Sequence, residues 1–263
     1  MKLSEAYPTI EHAEAAREIV RLFSQRYQVD GILLTNSCAR GKATRDSCLD
    51  MVVLVNNSSL LAQRASLEKE WNLFQHTSPA ILALRDVGQY SEVHLDFIDG
   101  LFTPAEQEVG GVQDAFELEI GNYLVYSVPL WQSGDYLMRL KQKWLPFYPE
   151  DLQEHRLRMV RHNCLDNLHH IPLYVARGLY FQSLDRLYNA YREFLQAVFI
   201  YSKTYPLAYN KWIREQVEEI LALPLLYREL PHLFEIRSFE SPELADKALL
   251  VEKLLEEYAP EAN

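Results

Sequence analysis

Residues 31–55 read GILLTNSCARGKATRDSCLDMVVLV. The stretch opens on a short apolar run, Gly31 to Leu34, and closes on a second, Leu49 to Val55. Each is the length of a buried strand. Between them lies a small polar turn containing Ser37, Gly41 and Ser47. Asp50 interrupts the second run, and a charge on a buried strand is costly unless it is paired or metal-bound. Residues two apart on a strand face the same way, so Cys48 and Asp50 share a face. Two plainer readings stand beside this one: Asp50 at a strand edge in water, and Cys48 as a small core residue.

The pattern extends outward on both sides. Residues 9–28 carry Ala13, Ala16, Ile19, Val20 and Phe23 at helical spacing, which predicts an amphipathic helix. A helix is expected over 60–76, ending near Ser78-Pro79. Residues 92–98, EVHLDFI, alternate with period two and predict a strand whose Glu92, His94 and Asp96 share a face. Phe116 to Val128 predicts a further strand with Gly121 as a bulge, which would align Glu117 with Glu119. After about residue 134 helical patterns take over, at 156–175, 183–201, 210–223 and 243–258. Leu184, Leu187, Tyr191, Leu195, Val198 and Phe199 form an apolar stripe on the second of these. Arg156, Arg158 and Arg161 read as a solvated helix face, and the His169-His170 pair as a surface feature. The fold class expected is α+β: a mixed-sheet domain over 1–133 and a helical domain over 134–263.

The chain has 263 residues, 48% of them hydrophobic and 24% charged. That composition excludes intrinsic disorder and low-complexity architectures. No apolar run is long enough to span a bilayer. Met1 to Glu5 has no apolar signal core, so a cytoplasmic protein without a membrane partner is expected. The 26 basic residues against 37 acidic ones give −11. A broad nucleic-acid-binding face needs clustered Lys and Arg, and this balance argues against one. Three widely spaced cysteines, Cys38, Cys48 and Cys164, fit reduced thiols better than a disulfide frame.

The segment around Ser37, Gly41, Ser47 and Asp50 resembles the nucleotidyltransferase superfamily related to DNA polymerase beta and kanamycin nucleotidyltransferase. That family's motif runs Gly-Ser, three residues, Gly, a short spacer, then Ser-Asp-x-Asp on a strand, with a third carboxylate on a neighbouring strand. The motif covers about 20 residues, and the layout extends the resemblance loosely over most of the chain. The resemblance implies transfer of a nucleoside monophosphate from a nucleoside triphosphate, ATP first among them, to an acceptor. It implies Mg2+ bound by Asp50 and Asp96, with phosphates held by Ser37, Gly41 and Ser47 beside backbone N–H groups.

This chain departs from the pattern twice. Asn36 replaces the first glycine, and Asn tolerates left-handed backbone better than other non-glycine residues. Cys48 replaces the first aspartate, and a thiol is a poor magnesium ligand. His94, Glu117 and Glu119 are alternative general bases, the two glutamates because some aminoglycoside-modifying relatives use a glutamate from a later strand, and Glu119 is taken as the catalytic one. Asp46 is a possible replacement carboxylate. In the helical half, Arg186, Tyr188, Arg192, Lys203 and above all Lys211 are candidate phosphate or base contacts.

Three functions fit these residues. One is a magnesium-dependent nucleotidyltransferase acting on a small molecule or a protein hydroxyl; the acidity suits a cationic small molecule. Another is a degenerate relative that binds nucleotide without turnover, which Cys48 favours. The third is an antitoxin-like interaction protein. The oligomeric state is open, and some relatives form a homodimer that shares a cleft.

Overall fold

In a computed structural model of the chain, the structure describes residues 7–55, 57–105 and 115–261, without the side chains of 57–62. Met1 to Glu5 lies outside the described residues. The chain divides into two compact units. One comprises Met1–Thr103 and Glu119–Leu145, the other Pro104–Leu118 and Pro146–Asn263.

The first unit begins with α1, Ile10–Phe23, capped by Thr9, whose hydroxyl accepts from the His12 amide. Its apolar stripe buries Ala13, Ala16, Ile19 and Phe23. Phe23 meets Phe97 edge to face at 5.4 Å. Burying a side chain of that size stabilises by roughly 1.5–3 kcal/mol. The helix ends five residues earlier than its pattern suggested. β1, Val29–Leu34, follows, then a single helical turn α2, Asn36–Ala39, and β2, Leu49–Val55. All seven residues of β2 are buried. α3, Asn57–Thr77, stops before Ser78, which takes an extended backbone because the residue before a proline is pushed out of the helical region. Pro79 opens α4, Pro79–Arg85. β3, Val93–Ile98, completes the core of the unit.

The sheet is four-stranded and mixed, in the order β3-β2-β1-β4, where β4 is Val128–Gln132. β2 pairs antiparallel with β1 and parallel with β3. The parallel pair requires a crossover, which α3 and α4 supply. β3 therefore lies at an edge and β2 inside.

The segment from Phe116 to Val125 is helical, which corrects the strand expected there. α5, Phe116–Ile120, runs into a π-helical turn at Gly121–Val125. Residues 116, 117, 120, 121 and 124 are the buried ones. That is a helical period which the short F-E-L-E-I alternation imitates. Glu117 and Glu119 consequently point apart rather than sharing a face.

α6, Tyr136–Trp144, closes the first unit. The second unit is built on an antiparallel hairpin of α7, Glu150–Ala176, and α8, Tyr180–Tyr201. Gly178, at φ 71°, provides the left-handed residue that ends α7. The stripe from Leu187 to Phe199 is buried as expected, with Leu184 at its margin. The helix expected at 210–223 is reduced to a π-helical segment at Glu215–Ile220. A short α9, Pro224–Glu229, follows, and α10, Glu243–Tyr258, packs on α7 and α8.

The arginine face of α7 is a second correction. Arg158 is exposed, but Arg156 and Arg161 are buried. Arg156 donates to both carboxylate oxygens of buried Glu117, at 2.9 and 2.8 Å. Arg161 donates to the Ala259 carbonyl and to Glu256. These partners are remote in sequence, so a window of sequence shows only charge. Among the described residues, no helix is long and apolar enough to cross a membrane.

Candidate functional site

The turn between β1 and β2 is shaped by two left-handed residues, Asn36 at φ 52° and Gly41 at φ 68°. Asn thus occupies the conformation for which glycine is the usual choice. Asn36→Gly should leave stability within about 0.5 kcal/mol, whereas Asn36→Val should cost roughly 1–2 kcal/mol, because Cβ crowding penalises this region. Urea midpoints of the two variants check this.

Several contacts fasten the turn. The Thr35 amide donates to the Asp50 carbonyl at 3.0 Å, and the Lys42 amide to the Ser37 carbonyl at 2.9 Å. Ser37 is half-buried on α2, and Gly41 is exposed. The Ser47 hydroxyl accepts from the Thr44 amide at 2.9 Å, so its side chain closes the turn. Asp46 accepts from the Gln89 amide at 3.2 Å and so holds the loop before β3. From α1, the buried His12 ring reaches across: its Nε2 donates to the Ser47 carbonyl at 2.9 Å and its Nδ1 accepts from Thr9. The sequence reading missed His12. Its only signal was a polar residue beside an apolar stripe.

Cys48, Asp50 and His94 come together on one face of β2 and β3. The parallel register sets Asp50 opposite His94 and Val52 opposite Asp96. Asp50 is only 9% exposed, on an interior strand, so the reading of it as an edge residue in water does not hold. The Cys48 thiol donates to Asp50 Oδ2 at 3.3 Å, so position 48 faces the same space as Asp50. His94 Nδ1 lies 3.1 Å from Asp50 Oδ1, and His94 Nε2 lies 3.1 Å from Glu92 Oε1. Burial alone would lower the imidazole's pKa. Its hydrogen bonds and the charges of Glu92 and Asp50 outweigh that and hold it above the usual value. One ligand atom from each of Cys48, Asp50 and His94 lies within 4.8 Å of the others.

Asp96 shares this face, two residues along β3, but stands outside the close trio. It is exposed and lines a groove with Arg64, Glu68, Trp71 and Asn72. Glu119 is half-buried. The Tyr123 phenol is pushed up to about 12 by burial, then by the charges of Asp96, Glu119 and Asp50. The strand that would have placed Glu119 does not form, and Glu119 sits on α5 instead.

The candidates in the helical unit are otherwise occupied or peripheral. Arg186 donates to Asp166 and Asn167, and Lys203 pairs with Glu150. Tyr188 packs against Tyr191 and Phe234. Lys211 is exposed, and its carbonyl accepts from Gln216. His169 and His170 are exposed and meet Glu252 and Asp166.

The three thiols differ sharply. Burial, with the charges of Asp50 and Cys48, pushes Cys38 up to about 12, and burial raises Cys164 well above the usual thiol value. Cys48 is only half-buried. Thiolates rather than thiols react. A maleimide at pH 8 should therefore modify Cys48 first, with Cys38 and Cys164 protected until unfolding; peptide mass mapping checks the order.

No family model matches the chain, and no curated protein matches it in sequence.

Proposed function

We propose that this chain is a nucleotidyltransferase-type protein of the cytoplasm. It binds a nucleoside triphosphate beside the β1–α2 turn and passes the nucleoside monophosphate to a small, cationic acceptor. Asp50, with Asp96 further along the same face, would hold a divalent ion, magnesium by resemblance, which would supply charge stabilisation for the transfer. Ser37, Gly41 and the turn's amides would hold the phosphates, with Ser47 keeping the turn closed. Glu119 or His94 would accept the acceptor's proton.

One observation carries the reading. Asp50 sits nearly buried on an interior strand, and its own carbonyl accepts from the turn at Thr35. The element order α1-β1-α2-β2-α3-α4-β3, with acids on β2 and β3, adds support.

A second reading, nucleotide binding without turnover, is favoured by Cys48. Its thiol occupies Asp50 Oδ2, where the motif calls for a second carboxylate. Calorimetric titration of ATP, GTP, CTP and UTP, with and without Mg2+, separates the two. Metal-dependent binding followed by pyrophosphate release with an acceptor supports transfer. Metal-independent binding supports the second reading, and binding of none of the four removes both.

A further inference from the structure

We propose that Cys48, Asp50 and His94 form a binding site for a borderline transition-metal ion of the zinc class, in preference to magnesium. This names the ion of the site described above. It rests on the Proposed function only in taking Asp50 as a ligand, and it does not require nucleotide binding.

The donor set is sulfur, nitrogen and oxygen. Zinc accepts all three, at about 2.3 Å from sulfur and about 2.0–2.2 Å from nitrogen or oxygen. Magnesium demands six oxygens and disfavours thiolate. Tetrahedral coordination at those lengths sets neighbouring ligands about 3.4–3.6 Å apart. The structure places Cys48 Sγ 3.3 Å and His94 Nδ1 3.1 Å from the oxygens of Asp50. The sulfur meets Oδ2 and the nitrogen Oδ1, and one ligand atom from each residue lies within 4.8 Å of the others, so the trio must draw together around an ion.

Glu92 supplies an independent observation. A metal-bound histidine almost always donates its second ring N–H to a carboxylate or carbonyl, which fixes the tautomer. His94 turns Nε2 to Glu92 at 3.1 Å and Nδ1 toward Asp50 and the cluster. With Nε2 held by Glu92, loss of the Nδ1 proton would leave a lone pair directed at the Asp50 side of the trio. On binding, bonds from the ion to Sγ and Nδ1 replace the thiol proton of Cys48 and the proton between His94 and Asp50, and both protons leave to solvent. Three protein ligands leave a fourth position open, as in zinc sites that bind water or substrate.

The test uses the full chain, stripped with a chelator and titrated with Co2+ in the absence of nucleotide. The expected result is a near-ultraviolet thiolate-to-cobalt band that saturates at one ion per chain. Equimolar Zn2+ should displace it, and a large excess of Mg2+ should not. Cys48→Ser should lose the band while keeping the wild-type far-ultraviolet circular dichroism. Glu92→Gln, at an exposed position, should keep the band but weaken affinity about 10–100-fold. No thiolate band in the wild type would overturn the proposal. So would a band that persists in Cys48→Ser, or displacement by Mg2+ as readily as by Zn2+. A positive cobalt titration beside negative nucleotide calorimetry would retain the ion and remove the transferase reading; the opposite pair of results would do the reverse.

Discussion

Arg156→Met is expected to destabilise the protein by about 3–5 kcal/mol, the cost of leaving a buried charge without its partner. Both Arg156 and Glu117 are fully buried. Glu117 accepts from Arg156 twice, from the Tyr148 hydroxyl at 3.0 Å and from Gln196 at 2.9 Å. Burial, then the neighbouring carboxylate, raises the Tyr148 pKa, so the hydroxyl remains a donor at any ordinary pH. Methionine would preserve much of the arginine stem's packing but would leave Glu117 only two neutral donors. The double variant Arg156→Met/Glu117→Leu removes both charges and should recover most of the loss, because apolar replacement of a whole buried pair is often neutral. Urea unfolding of both single variants and the double gives the coupling energy directly. A double variant no more stable than the sum of the singles would show that the two charges do not act as a unit.

On the function proposed above, Asp50→Ala is expected to weaken metal-dependent nucleotide binding by about 100-fold or more. Even outer partners of a metal ligand are worth about 10–100-fold, and Asp50 is the carboxylate that both Cys48 and His94 contact. The fold should persist, since the variant also removes a nearly buried charge. Calorimetry gives the affinity and circular dichroism the control. Cys48→Asp should act in the opposite direction for magnesium, because it returns a hard oxygen donor to a position already facing Asp50. Wild-type affinity in Asp50→Ala would show that the metal and phosphates bind elsewhere.

Much of the first unit was legible because its signals are local. The apolar runs at 31–34 and 49–55 became β1 and β2, and the alternation at 92–98 became β3. The same period-two logic failed at 116–128, where five alternating residues are too few to separate a strand from a short helix. The face shared by Glu92, His94 and Asp96 was readable from spacing. That Glu92 would meet the far nitrogen of His94 was not, because it depends on a rotamer. The buried arginines of α7 were unreadable for a different reason: Glu117 and Ala259 lie 39 and 98 residues from the arginines they meet. His12 is of the same kind, joined to Ser47 across 35 residues.

Among the described residues β3 lies at the edge of the sheet and pairs there with β2 only. An edge strand is the first to fray. Two members of the trio, Cys48 and Asp50, belong to the β2 side, while His94 belongs to β3. An ion gripped by all three would rivet the rim to the interior of the sheet, and peeling of the rim would release the ion. Occupancy and fraying then become opposite ends of one equilibrium, with each gain in affinity returned as protection of the edge amides.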